Sequence, residues 1–308
     1  MTDKEKPNEI RKDFLGREVI IALNRGKRPQ EFVCQKHVKT TPPEKCFFCP
    51  GNEHLTPPEI DRIESAPGKW QIRCFPNKFA AVSKAWKKAY GSHEIIVETP
   101  DHQKTLSELD EGNIFNAIEM FCRRVRAAAE DPKTKYAMLF KNEGLEGGAS
   151  LEHTHCQLVT LPRVPPLVKK ESRKFKEGKC ALCKSIEKER RRTFFEDANF
   201  VAYMPKASRF HFETWVVPKR HARSILDLTE AERRSLATAL KVMLGKLDQH
   251  VGYPPYNMVF HTAPFDNSPF HFHIELLPRL SKLAGFEFGT EMIMNSLPPE
   301  MAADEFRK

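Results

Sequence analysis

The stretch 150-SLEHTHCQLVTLP-162 sets two histidines two residues apart, with a glutamine two residues further on. In an extended chain alternate side chains share a face, so His153, His155 and Gln157 line up while Thr154 and Cys156 point the other way. Three polar groups converging on one surface suit metal binding, phosphate chemistry, or both. Two C-x-x-C pairs, 46-CFFC-49 and 180-CALC-183, add soft donors. That spacing lets two thiolates grip one tetrahedral metal, and zinc is the usual occupant. A redox motif is the rival reading, but it leaves the second copy unexplained.

The elements that must position these residues repeat along the chain. After the first cysteine pair come 94-EIIVETPDHQKTLSELDE-111, a helical stretch from Gly112 to Ala129, the strand 136-YAMLFKNEG-144 and His153/His155. After the second come 214-TWVVPKRHARSILDLTEAE-232, a helical stretch from Thr229 to Leu247 with Thr229 and Glu232 as a capping box, the strand 256-YNMVFHTAP-264 and His271/His273. His102 precedes His153 by 51 residues and His221 precedes His271 by 50, and Ser150 and Ser268 stand three residues ahead of each histidine pair. The chain therefore reads as one α+β unit used twice. The repeat assigns two four-coordinate sets, Cys46, Cys49, His102 and His153, and Cys180, Cys183, His221 and His271. Four protein ligands leave no open position for water, so both metals are expected to be structural, zinc or iron.

With His153 and His271 on metals, His155 and His273 are left over. Beyond them the copies differ, with Gln157 in the first and Glu275 in the second. A phosphate is repelled by the carboxylate, whereas the amide can donate to it without adding negative charge. This places the active site at His155. A neutral imidazole with one nitrogen hydrogen-bonded to a carbonyl presents the other as a nucleophile, which aimed at phosphorus gives a phosphoramidate intermediate. With Gln157 where a third histidine would supply an acid, transfer between phosphates is favoured over hydrolysis.

At 308 residues the chain has room for about two domains, expected at 1–165 and 166–308 with the proline-then-basic stretch 163-RVPPLVKKESRKFKEG-178 as linker. No run approaches a membrane span and the N-terminus is polar, so a cytoplasmic location without membrane contact is expected. The net charge of +9 is spread along the chain, which fits an anionic small ligand. The run 187-EKERRR-192 reads as a solvated helix face. A zinc-dependent nucleic-acid-binding protein is the alternative of another class, but it does not explain the contrast between Gln157 and Glu275, so no nucleic-acid partner is expected. Cys34, Cys74, Cys122 and Cys156 have no evident partners.

These features resemble the galactose-1-phosphate uridylyltransferase family, the transferase branch of the histidine-triad superfamily. The resemblance rests on 11-RKDFLGREVIIALNRGKRPQEF-32, 46-CFFCPGNE-53, 75-FPNKFAA-81, 99-TPDHQKTLSEL-109, S-x-x-H-x-H-x-Q at 150–157 and 271-HFHIELLPRLSKLAGFEFGTEM-292, in that order. It implies two tandem histidine-triad-like domains, each a mainly antiparallel sheet with packed helices. It also implies a homodimer and ping-pong transfer of UMP from UDP-glucose to a hexose 1-phosphate such as galactose 1-phosphate. By the same resemblance His155 is the nucleophile and Gln157 the phosphate-holding amide. Asn142 and Ser150 match phosphate-contacting positions, and Asn77 and Phe79 fall in the segment that holds the nucleoside. Arg25 and Arg28 match basic residues that approach the diphosphate from the neighbouring subunit. The familiar motif is H-P-H-G-Q. Thr154 and Cys156 replace its proline and glycine, a substitution similar to relatives that act as ADP-glucose phosphorylases by the same histidine intermediate.

Overall fold

In the computed structural model the described residues are 7–25, 34–36 and 39–308. The first half of the chain forms β1 (Glu9–Lys12), β2 (Glu18–Ile21), β3 (Asp61–Ala66), β4 (Lys69–Pro76), β5 (His93–Val97), α1 (Glu111–Ala129), β6 (Tyr136–Glu143) and β7 (His155–Leu161). The second forms α2 (Pro166–Ser172), α3 (Ala181–Lys188), β8 (Thr193–Glu196), β9 (Phe200–Tyr203) and β10 (Thr214–Pro218). It continues with α4 (Glu230–Val251), β11 (Tyr256–His261), β12 (His273–Pro278), α5 (Gly285–Thr290), β13 (Ile293–Asn295) and α6 (Pro299–Arg307).

Ten strands make one sheet in the order β3-β4-β5-β7-β6-β11-β12-β10-β9-β8, while β1, β2 and β13 form a small second sheet. The order is palindromic: each half contributes five strands in mirrored sequence, and the halves meet where β6 pairs antiparallel with β11, Asn142 opposite Asn257. Both outer strands carry register irregularities, β3 against β4 and β8 against β9. The α+β architecture read from the repeat is what the chain adopts.

Helices α1 and α4 pack on each other and on one face of the sheet. Asp110 caps the first, accepting from Asn113 N–H at 2.8 Å. Thr229 and Glu232 cap the second reciprocally, as expected. Buried Ile114, Ala117, Ile118, Phe121, Cys122 and Val125 recur at helical spacing along α1. With Leu240 and Met243 of α4 they meet Ile96, Leu139, Leu158, Met258 and Ile274 in one apolar core spanning both halves. Burial of that face leaves the opposite one to carry the polar chemistry.

Two local expectations change. The segment taken as a linker is packed: α2 lies within it, and Val168, Glu171 and Phe175 are buried, because Val168 and Phe175 join the second half's apolar cluster. The 187–192 run is not one solvated helix face either. Helix α3 stops at Lys188, and Arg192 turns inward to pair with Glu189 and Glu300.

Candidate active site and metal centres

Strand β7 begins at His155, one alternation later than the motif suggested, because Val97 opposite His155 is the last β5 residue in the ladder. His153 lies in the preceding loop. Its Nε2 donates to the Thr99 carbonyl at 2.8 Å, leaving Nδ1 facing Cys46 Sγ at 3.5 Å and Cys49 Sγ at 3.6 Å. His102 Nδ1 is 3.2 Å from Cys49 Sγ. The second half repeats this arrangement. His271 Nε2 donates to the Pro218 carbonyl at 3.0 Å, and its Nδ1 stands 3.3 Å from Cys180 Sγ and 3.4 Å from Cys183 Sγ, with His221 Nδ1 3.4 Å from Cys183 Sγ. Within each set the donor atoms lie within 4.8 Å of one another.

Bond lengths of about 2.3 Å to sulfur and about 2.1 Å to nitrogen around a tetrahedral zinc put the two ligand types about 3.5 Å apart. The observed separations match those tetrahedron edges. The backbone carbonyls behind His153 and His271 hold the tautomer a metal-bound Nδ1 requires. Both sets therefore fit a four-coordinate metal.

His155 and Gln157 lie on the sheet face opposite α1 and α4. His155 Nδ1 donates to the His153 carbonyl at 2.8 Å, so the lone pair of the neutral ring is on Nε2. Burial, reinforced by the nearby Lys141 charge, lowers its pKa to about 4, so the ring is neutral at pH 7. Phe48, between the first two cysteines, meets the imidazole edge-on at 5.2 Å between centroids. The loop that carries the first cysteine pair thus buttresses the His155 ring directly.

Thr154 and Cys156 face the helices, as alternation predicts, and there they meet a pair that sequence reasoning missed. Lys141 and Glu98 are fully buried, Nζ to Oε2 at 2.7 Å. Lys141 Nζ also donates to Thr154 Oγ1 at 2.6 Å and to the His155 carbonyl at 3.3 Å, and Cys156 Sγ donates to Glu98 Oε1 at 2.9 Å. The two motif replacements are thus tied to one internal ion pair behind the His155 peptide. A lysine on the inward side of 136-YAMLFKNEG-144 was the available signal, since a lone cation among core positions needs a buried anion.

The equivalent place in the second half is closed. His273 is fully buried, its Nε2 unpartnered, stacked on His261 at 4.3 Å and boxed by Phe175 and Trp215. Burial would lower the His261 pKa, but Glu171 at 2.9 Å and Glu275 at 3.5 Å outweigh it and raise it to about 10. Arg209, 2.7 Å from Glu275, adds the second counter-charge. Glu171, His261 and His273 make a third set of potential metal donors, also missed because Glu171 lies in the supposed linker.

Other expected residues are distributed unevenly. Asn77 is half-buried with its Oδ1 accepting from Phe79 N–H at 2.8 Å, while the Phe79 ring is 85% exposed. Asn142 accepts from Asn257 across the central seam at 2.9 Å. Ser150 is exposed in the loop before the motif. Arg25 lines a different cavity of about 280 Å³ with Lys282, Phe286 and Glu287, and Arg28 lies outside the described residues.

Residues 1–165 match the model of the galactose-1-phosphate uridyl transferase N-terminal domain, and residues 134–307 that of its C-terminal domain. The chain belongs to the galactose-1-phosphate uridyl transferase family. Among this family's curated members it is 31% identical to an ADP-glucose phosphorylase of Arabidopsis thaliana, over 97% of this chain and 92% of the relative. It is also 31% identical to a galactose-1-phosphate uridylyltransferase of Thermotoga maritima, over 79% of this chain and 86% of the relative. Among solved structures, that of an Arabidopsis thaliana ADP-glucose phosphorylase with bound ADP-glucose superposes with a TM-score of 0.87 at 31% identity, covering 98% of this chain and 99% of the other. No helix among the described residues is long and apolar enough to cross a membrane.

Proposed function

We propose that the protein is a nucleotidyltransferase in which His155 Nε2 attacks the phosphorus nearest the nucleoside of a nucleoside-diphosphate sugar. The P–N bond forms as the P–O bond to the sugar phosphate breaks, and the sugar 1-phosphate leaves with the electron pair. A phosphate oxygen of the acceptor then attacks the nucleotidyl-histidine, and the lone pair returns to Nε2. Throughout, Nδ1–H stays on the His153 carbonyl. The observation that carries this reading is the His155 tautomer, set beside an amide rather than a carboxylate on the same strand face.

ADP-glucose is the favoured donor and inorganic phosphate the acceptor, giving ADP and glucose 1-phosphate. The resemblance to the plant phosphorylase over nearly the whole chain supports this. The second reading, uridylyl transfer from UDP-glucose to galactose 1-phosphate, is supported by the Thermotoga relative. Zinc in the two Cys2His2 sets would pin the loops to the sheet and supply no chemistry of its own. Asn77, Phe79, Asn142 and Ser150 would hold the nucleotide. Arg25 and Arg28 would serve a second copy's site in a homodimer, in keeping with the place of Arg25 in a cavity not lined by His155.

The test is intact-protein mass after mixing with equal ADP-glucose and UDP-glucose and no acceptor, alongside His155→Asn. An adenylyl adduct absent from the variant supports the phosphorylase, and a uridylyl adduct supports the second reading. No adduct on the wild type with either donor removes the covalent mechanism.

A further inference from the structure

His93 opens β5 on the same sheet face as Gln157, diagonal to it across the β5–β7 ladder. Gly91 lets the chain approach there, since a Cβ would stand 2.1 Å from the Thr160 carbonyl oxygen. The imidazole has partners on both sides. Ala81 N–H points at His93 Nδ1 at 3.2 Å, and Gln157 Oε1 lies 2.8 Å from His93 Nε2.

A backbone N–H is always a donor, so Nδ1 accepts and the hydrogen of the neutral ring is on Nε2. That hydrogen goes to Gln157 Oε1. Asn77 Nδ2, 3.2 Å from the same Nε2, is then a contact between two N–H groups, because Asn77 Oδ1 is taken by Phe79 N–H. With its oxygen engaged, the Gln157 amide has one orientation. Its NH2 group, with no hydrogen-bond partner among the described residues, is left for an acceptor. The cross-strand register puts Glu213 of the second half where His93 stands in the first, with Trp215 opposite Glu275 as Ile95 is opposite Gln157. There Arg209 bonds both Glu213 and Glu275, so the second copy answers a carboxylate with a guanidinium.

We infer that His93 is a positioning residue that holds Gln157 by its oxygen, so that the amide N–H groups are presented to the phosphoryl group in transfer, and that it couples this amide to the Asn77–Ala81 loop. The inference deepens the nucleotidyl-transfer reading and rests on it. Because the held amide meets charge that moves during transfer, the effect belongs in the chemical step more than in donor binding.

The experiment measures single-turnover formation of the nucleotidyl adduct, with donor affinity measured separately, for His93→Gln, His93→Asn, Gln157→Ala and the double variant His93→Asn/Gln157→Ala. A glutamine amide nitrogen can take the place of Nε2 and an asparagine that of Nδ1. His93→Asn is therefore expected to slow adduct formation about 10- to 100-fold while donor affinity changes far less. His93→Gln is expected to recover most of the rate, and the double variant to be no slower than Gln157→Ala alone. Wild-type rate in His93→Asn, equal loss in both His93 variants, or multiplying losses in the double variant would overturn the assignment. A wild type that forms no adduct with any donor strikes the nucleotidyl-transfer reading instead, and circular dichroism with zinc content identifies a variant that has merely unfolded.

Discussion

His155 Nδ1 lies 2.8 Å from the carbonyl oxygen of His153, its neighbour two residues back. The residue that faces the two cysteines therefore also fixes which nitrogen of the reactive ring is available. His271 and His273 repeat the relationship at 2.9 Å, so the geometry alone does not separate a working half from a silent one. What separates them is what meets the second ring: the Gln157 amide two residues on along the strand face, or an aromatic and ionic enclosure around His273.

Replacing the nucleophile tests the first consequence. His155→Asn is expected to lose turnover by about 10⁴-fold or more and to form no adduct. Metal content measured by elemental analysis is expected to stay at the wild-type level, since the ligand atoms are on other residues.

The buried Lys141–Glu98 pair predicts a stability effect distinct from chemistry. Lys141→Met leaves Glu98 uncompensated and is expected to cost about 3–5 kcal/mol in urea unfolding. The double variant Lys141→Met/Glu98→Leu is expected to regain most of that loss, because the one carboxylate then left without its cation, Glu143 at 3.3 Å from Lys141, is partly exposed.

Removing a thiolate from either metal set separates the halves. Cys46→Ser and Cys180→Ser are each expected to lose one of two zinc ions per chain, read by native mass spectrometry. Adduct formation is expected to fall about tenfold or more in Cys46→Ser, whose loop braces His155 through Phe48, and to fall less in Cys180→Ser.

Acid sensitivity has an identifiable contributor at the start of α4. Arg220 at 2.7 Å, with the Thr229 N–H, lowers the Glu232 pKa from 4.5 to about 2 despite partial burial. The folded value is below the unfolded one, so this stabilisation is complete above pH 4.5 and is lost as pH falls toward 2. The stability difference between wild type and Glu232→Gln, measured by denaturant unfolding, is therefore expected to shrink between about pH 6 and about pH 3.

Much of the frame was legible because the signals were local or repeated. Thr229 and Glu232 announce their helix in four residues, and the two ligand sets are visible because each feature recurs in order. The residues that were missed act across strands. His93 meets Gln157 only once β5 lies beside β7, and Glu98, just past the end of β5, meets Lys141 of β6 only across the intervening β7. Nothing in the sequence near Glu171 shows that a basic, proline-led stretch would deliver a carboxylate to a buried histidine 90 residues later. Motif reading also set the strand two residues too early at His153, because alternation in types does not reveal where the ladder ends.

The irregular register at both outer strands also bears on solubility. The molecule's centre is an antiparallel pairing between two nearly equivalent units, the kind of contact that can add further units at a free rim. Bulged outer strands present a poor template for such growth. Among the described residues the sheet ends at ten strands, and regularising β3 or β8 is expected to raise edge-to-edge association, read by light scattering.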